Sequence, residues 1–325
     1  MPKPTVISAA PWRRGLLVLF TVLVLALFAY QFVQLVHTLD GQQFVTALGR
    51  PGRWRYAVLA VLLMPLNWGL EARKWQLLLN VFLDWPFSRT LRATLAGVSV
   101  SAATPNRIGE VGGRLLLANR TEWSGVMASS LLGSLCQWAA FLLLAWPALV
   151  YTLRELPTTI LPIQLSVALY VVGPALIGGL LLGGTPLLDR LLGWVERRFK
   201  RSTGNLREAL ANVKFTLMLR ASVYASLRFC VYCIQLYLLL WFFGLELAPV
   251  NGLAGIAAIY LVQAGLPLPP GLNFVTRTEL GLLLWQADAA GTVAVLAAYT
   301  TLFGVNVLLP ALPGYWLIVR KNRMQ

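Results

Sequence analysis

Charged residues are scarce in this chain, making up 12% of its 325 residues, whereas 58% are hydrophobic. Soluble domains carry about a quarter of their residues as charged side chains, so this scarcity excludes an ordinary soluble domain. Several apolar runs approach or exceed the roughly 20 residues that a helix needs to cross the hydrocarbon core of a bilayer. The composition therefore predicts an all-α, polytopic membrane protein.

Histidine and cysteine are nearly absent as well. The one histidine, His37, follows the first apolar run without an obvious partner, and the three cysteines all lie in apolar runs. Cys230 and Cys233 form a CxxC pair, which on a lipid-embedded helix favours packing over redox chemistry or metal binding. The sequence shows no metal-ligand cluster, no glycine-rich nucleotide loop, and no nucleophile, base and oxyanion donor in one place. We therefore expect no metal, no cofactor and no catalytic residue.

Acidic residues are also few, 12 against 27 lysines and arginines, which gives a formal net charge of +15. In a soluble protein such an excess would suggest nucleic acid, but no basic-aromatic binding module is present. The cations lie mostly in short hydrophilic connections, where they set topology and meet anionic membrane lipids. We expect those lipids as partners, and no nucleic acid.

The distribution of charge predicts the topology. The first apolar run, residues 15–36, is longer than the core of a usual signal peptide and lacks a small-residue cleavage site, so we expect a retained helix. Both termini and the basic connection at residues 184–220 are expected in the cytoplasm. The order span, span, broken hairpin, span occurs twice in opposite orientations, as in transporters built from inverted repeats. The predicted repeats comprise residues 1–155 and 156–325, with re-entrant hairpins at 93–119 and 251–286.

The first hairpin contains the charged stretch SAATPNRIGEVGGRLLLANR. Arg107, Glu110 and Arg114 are spaced three and four residues apart, so on a helix they share one face. Within a bilayer, charge and broken backbone are tolerated only where protein or water satisfies them. The stretch is therefore a candidate site that lines a polar cavity. The alternative is a segment at the cytoplasmic interface whose charges are solvated.

The residue types in this stretch suit an anionic headgroup. The planar guanidinium of arginine binds a phosphate through two hydrogen bonds. A helix starting near Asn106 would add backbone N–H donors and the positive end of its dipole. Glu110 would hold an arginine in position or meet a cationic substituent.

Charged residues outside the first hairpin extend the candidate site. Arg277 and Glu279 follow a second Pro/Gly break, LPLPPGLNF, and the alternative for them is again a solvated position. Arg228 lies in an apolar span, where pairing with a neighbouring carbonyl is the alternative to a headgroup contact.

Glu71 lies in the segment LNWGLEARKWQLLL, close to Arg73 and Lys74. Long basic side chains reach the interface by extending along the helix, which leaves the roles of Arg73 and Lys74 open. A glutamate is short and reaches the interface poorly. We therefore expect Glu71 to have a partner inside the protein.

Three motifs carry a resemblance to a known family. The segments ATPNRIGEVGGRLLL, LEARKWQLLL and PLPPGLNFVTRTELG resemble the marks of the lysylphosphatidylglycerol synthase transmembrane-domain family, which includes the flippase half of the bacterial multiple peptide resistance factor and stand-alone relatives. The resemblance spans most of the chain in the order and spacing of its segments. It departs at Thr278, which separates Arg277 from Glu279 where family members more often show an adjacent Arg-Glu.

The resemblance implies lipid handling, in which an aminoacylated or other anionic-headgroup lipid moves between leaflets through a cavity between two inverted halves. The larger relatives carry a separate soluble aminoacyl transferase domain, and because this sequence stops at Gln325, just after its last predicted span, we expect that domain to be absent. We accordingly expect a non-enzymatic lipid flippase of the bacterial inner membrane, driven passively or by an ion gradient. The expected headgroup contacts are Arg107, Asn106, Arg114, Arg277 and Arg228, with Glu110, Glu279 and Glu71 as counter-charges.

Other functions remain open from the sequence. A membrane-embedded transferase acting on a lipid would need an acid or base at a membrane-facing cleft. A secondary transporter of an organic anion is equally compatible with inverted repeats. An accessory subunit of a partner enzyme and a homo-oligomer are also left open.

Overall fold

The computed structural model is almost entirely helical in the part of the chain that it describes, and no strand occurs in that part. The description covers residues 52–102, 108–155, 210–211, 213–264, 270–285 and 289–324, with a few positions between 172 and 193. The predicted first span and most of the predicted basic connection lie outside these residues. The all-α class predicted from composition is confirmed.

The first group of helices surrounds the charged stretch of the sequence. Its members are α1 (Trp54–Leu79), α2 (Phe87–Ser101), α3 (Ile108–Leu117) and α4 (Trp123–Glu155). A single 3₁₀ turn, Arg120–Glu122, precedes α4, and the side chains of Asn119 and Glu122 form a reciprocal capping box there. The box fixes the point at which the chain turns from α3 into the long helix α4.

The second group begins after the basic connection. It consists of α5 (Phe215–Phe243), α6 (Pro249–Ala264), α7 (Pro270–Trp285), α8 (Ala289–Phe303) and α9 (Leu309–Met324), with a π-helical segment, Gly304–Leu308, between the last two. Helix α5 ends at Gly244, whose φ of 104° is a left-handed conformation that glycine adopts without strain. Pro249 and Pro270 occupy first helical positions, where a missing N–H costs nothing.

Three stretches of the described chain are long and apolar enough to cross a membrane: Arg120–Arg154, Phe215–Phe243 and Gly291–Arg320. Helix α5 lies in the middle of the fold and contacts α1, α4, α6 and α8. Its buried side chains, including Phe229, Leu236 and Leu240, form the main apolar core with residues of those neighbours. Cys233 is part of this core and Cys230 is exposed, and both are free thiols.

Helices α2 and α3 form a closely packed pair in the region of the first predicted hairpin. The pair starts at Phe87, earlier than the predicted residue 93, because Pro86 holds an extended conformation that begins the helix there. A Cβ on Gly97 would lie 2.7 Å from the backbone oxygen of Glu110. Glycine is therefore what allows the two backbones to approach.

A larger residue at Gly113 is expected to force this pair apart. A Cβ there would collide with the backbone carbonyl of Ala96, which cannot move as a flexible side chain could. We expect Gly113→Ala to lower the free energy of unfolding by about 1–2 kcal/mol, as overpacking does. SDS titration of the detergent-solubilised protein measures the change. Gly112→Ala is the matched control, since its Cβ would meet only Val100 Cγ1 at 4.0 Å; equal losses in both variants would contradict the prediction.

Helices α6 and α7 form a second pair, at the position of the second predicted hairpin, residues 251–286. The contact again depends on glycine, since a Cβ on Gly255 would lie 2.7 Å from Leu284 Cδ2 and 2.9 Å from Trp285 Nε1. The start of α6 therefore packs against the end of α7, and the two helices run antiparallel.

Candidate functional site

A buried carboxylate, Glu71, lies at the centre of an ion cluster between α1, α3, α4 and α5. Its Oε1 accepts a hydrogen bond from Arg114 Nη2 at 2.9 Å. Its Oε2 accepts from Arg228 Nη1 at 2.9 Å and pairs with Lys74 Nζ at 2.6 Å. Glu71 and Lys74 are each 2% exposed, Arg114 is 3% exposed and Arg228 is 5% exposed. One carboxylate thus binds three cations from three helices.

Arg114 is the member of the cluster that α3 contributes. Besides Glu71, it pairs with Glu110 one turn earlier on the same helix, and its Nη1 donates to Ser130 Oγ at 3.2 Å. Its guanidinium lies 4.2 Å from the ring centroid of Trp75, close enough for a cation–π contact. Its Nε is buried and has no hydrogen-bond partner within the described part of the chain.

Arg228 connects the cluster to α5. Its Nε donates to Asn67 Oδ1 at 3.0 Å, and its guanidinium lies 5.0 Å from the Trp68 ring centroid. Its Nη1 also lies 3.4 Å from Gln137 Oε1, which accepts at the same distance from Lys74 Nζ. Gln137, which lies on α4, therefore bridges Lys74 and Arg228.

A chain of buried amides continues from Asn67 away from the ion cluster. Asn67 Nδ2 donates to Asn306 Oδ1 at 3.0 Å, and Asn306 Nδ2 donates to Gln235 Oε1 at 2.9 Å. Gln235 Nε2 in turn donates to the Ala60 carbonyl at 2.8 Å, and Trp68 Nε1 donates to the Asn306 carbonyl at 3.1 Å. Asn306 belongs to the π-helical segment, a deviation that often occurs at functional positions.

The cluster carries more positive than negative charge. Among the described residues, Lys74, Arg114 and Arg228 supply three cations and Glu71 and Glu110 supply two carboxylates, so the formal charge of these five residues is +1. Buried ions are stable only when they are paired and hydrogen-bonded, and this pairing is extensive. A polar network of this kind between apolar helices is a candidate functional site.

The structure brings together four of the residues that the sequence singled out: Glu71, Glu110, Arg114 and Arg228. Arg107 and Asn106 lie outside the described residues. Arg277 lies on α7, where its Nε donates to Gln263, and Glu279 is exposed on the same helix. Within the described part of the chain, no hydrogen bond or ion pair joins Arg277 to the Glu71 cluster.

Sequence reasoning missed Lys74 and the amides of the network. The interfacial alternative for Lys74 is wrong, because its ammonium is buried against Glu71, while Arg73 is exposed and donates to Gln76 Oε1 at 2.6 Å. A signal was present, since Asn67, Glu71 and Lys74 follow the i, i+4, i+7 spacing of one helical face. In the residues that the structure describes, no group of three or more His, Cys, Asp or Glu side chains could hold a metal ion.

Long apolar helices around a buried ion network define a multi-pass helical membrane protein. The family described as the lysylphosphatidylglycerol synthase TM region matches residues 15–314, and the chain belongs to this family. The family assignment made from the three motifs is thereby confirmed. No curated protein matches the chain.

Proposed function

We propose that this protein moves a phospholipid with an anionic or aminoacylated headgroup between the leaflets of the bacterial cytoplasmic membrane. The observation that carries the proposal is the formal charge of +1 in the buried Glu71 cluster, where, among the described residues, three cations face two carboxylates. Away from water, an uncompensated charge attracts an ion of opposite sign far more strongly than it does at the surface. An anionic group entering the cluster would complete its charge balance.

The donors of the cluster favour a phosphate as that group. The buried Nε–H of Arg114 has no partner in the described part of the chain and is available to an oxygen acceptor. Glu110 is the most exposed of the carboxylates there, with 13% of its side chain accessible, and it suits an amine. The family description names lysylphosphatidylglycerol, a lipid that carries both a phosphate and a lysyl amine. Arg114 and Glu110 would meet these two groups.

The helix pairs support a transport architecture. Helices α2 and α3 have 15 and 10 residues, so at about 1.5 Å per residue neither crosses a hydrocarbon core about 30 Å thick. We place both pairs, α2–α3 and α6–α7, as re-entrant hairpins of two inverted repeats, residues 1–155 and 156–325. Both termini would then lie in the cytoplasm. In this arrangement the protein translocates lipid and does not modify it.

A leaflet assay in liposomes tests the function. The liposomes contain phosphatidylglycerol or phosphatidylcholine that carries an NBD group. Dithionite bleaches the NBD groups in the outer leaflet, so bleaching of the remaining lipid reports the rate of translocation. We expect faster translocation of phosphatidylglycerol than in protein-free liposomes. Arg114→Lys keeps the charge but loses Nε and the planar fork, so the rate should fall roughly 10-fold, the effect of one charge-assisted hydrogen bond.

Arg89→Lys is the matched control for this experiment. Arg89 also pairs with a glutamate, Glu122 at 2.7 Å, and stacks over a tryptophan, Trp85 at 3.8 Å, but it lies outside the Glu71 cluster. Its variant should translocate lipid like the wild type. Translocation no faster than in empty liposomes would refute the proposal, and a covalently altered lipid recovered from the same liposomes would favour a membrane-embedded transferase.

A further inference from the structure

Two buried tyrosine hydroxyls near the α6–α7 pair have no hydrogen-bond partner among the residues that the structure describes. Tyr260 on α6 is 4% exposed and Tyr299 on α8 is 3% exposed, and neither hydroxyl bonds to any described residue. Leaving a hydroxyl buried and unpaired is unfavourable, and such groups are rare in native proteins. Two such hydroxyls in one core cluster of the described chain mark a candidate ligand position.

A cation that has no carboxylate partner among the described residues lies against the ring of Tyr260. The guanidinium of Arg277 is 4.8 Å from the Tyr260 ring centroid, and Tyr260 and Tyr299 belong to the same core cluster. Arg277 Nε donates to Gln263, a neutral group, and in the described part of the chain no carboxylate pairs with it. Glu279, the nearest acid along the helix, is exposed. The position therefore combines one positive charge with two unused hydroxyls.

This position is separate from the Glu71 cluster. Arg228 points from α5 to α1, where it bonds Glu71 and Asn67. Its neighbour Phe229 packs edge-on against Tyr260, with ring centroids 6.3 Å apart. Within the described part of the chain, no hydrogen bond or ion pair joins the two polar positions.

We propose that Arg277, Tyr260 and Tyr299 form a second binding site, which takes a phosphate-type oxyanion. A guanidinium and two hydroxyls all donate hydrogen bonds, so the matching ligand is an acceptor of negative charge. The oxyanion is either the phosphodiester of a lipid headgroup or free phosphate. The site binds this group whether or not the protein translocates lipid.

The test compares binding and stability in variants that each remove one donor. Isothermal titration of the detergent-solubilised chain uses two probes, inorganic phosphate and a short-chain phosphatidylglycerol. Tyr260→Phe, Tyr299→Phe and Arg277→Gln should each weaken binding about 10-fold or more, the effect of one hydrogen bond to a charged group. Without ligand, the two Tyr→Phe variants should melt at or above the wild-type Tm, because they delete an unsatisfied group.

Tyr237→Phe is the matched control, since its hydroxyl donates to the Leu247 carbonyl at 2.8 Å. It should lower the Tm and leave binding unchanged. Loss of phosphate binding in the Tyr260 and Tyr299 variants supports a free-oxyanion site, and loss of lipid binding alone supports a headgroup site.

Two results would overturn the inference. One is wild-type affinity for both probes in the Tyr260→Phe and Tyr299→Phe variants. The other is a fall in their ligand-free Tm equal to that of Tyr237→Phe, which would give the hydroxyls a structural role. Tyrosine-dependent binding in a protein that fails the leaflet assay would leave this site standing and remove the proposed function.

Discussion

Glu71→Gln is expected to destabilise the protein by about 3–5 kcal/mol, the range found when one partner of a buried ion pair is removed. Glu71 neutralises Lys74, Arg114 and Arg228 at once. Its replacement leaves three cations with only Glu110, so the charge of the cluster rises from +1 to +2. SDS titration of the detergent-solubilised variant measures the loss.

A charge-balanced double variant separates electrostatics from packing. Glu71→Gln combined with Lys74→Met returns the cluster to +1, since two cations then face Glu110. We expect the double variant to lose less stability than the two single variants lose together, by about 1 kcal/mol or more, as for other contacting charges. Glu279→Gln, at an exposed position, should change stability by less than about 0.5 kcal/mol. Strict additivity in the double variant would contradict the electrostatic account.

Asn306→Leu is expected to cost about 2–4 kcal/mol. The side chain of Asn306 joins Asn67 and Gln235, which are both buried. Interhelical hydrogen bonds in membranes contribute about 0.6–1.7 kcal/mol each, and the substitution removes two of them. The two hydrogen bonds together account for about 1–3 kcal/mol, and leaving the amides of Asn67 and Gln235 without this partner brings the total to about 2–4 kcal/mol.

Hydrogen exchange shows which helices lose stability in Asn306→Leu, and by how much. Backbone amides of α1 and α5 next to the network should exchange faster in Asn306→Leu, because Asn306 connects both helices to the π-helical segment. The control is Asn251→Leu, whose exposed amide accepts one hydrogen bond from Tyr151 at 2.7 Å. Unchanged protection of α1 and α5 in the Asn306 variant would show that the network carries little of the packing.

The two helix pairs show which features of the fold the hydrophobic pattern could predict. Pro/Gly breaks between short apolar pieces predicted helix pairs near residues 93–119 and 251–286, and helix pairs occur at both positions. The boundary at Phe87 was missed, since Pro86 sets it through its own backbone conformation. That effect is local, but it does not alter the hydrophobic pattern from which the boundary was predicted.

The sequence by itself determined the class, the family and the charged segments, because composition, apolar run length and motif order are properties of the chain alone. Only the tertiary structure decided which charges meet. Glu71 lies 157 positions from Arg228 and 43 from Arg114, and such partners are set by how the helices pack. The same packing separated Arg277 from the arginines with which the sequence had grouped it. Arginines in different apolar helices look alike in the sequence. Only the structure shows how deeply each one is buried and whether a carboxylate pairs with it.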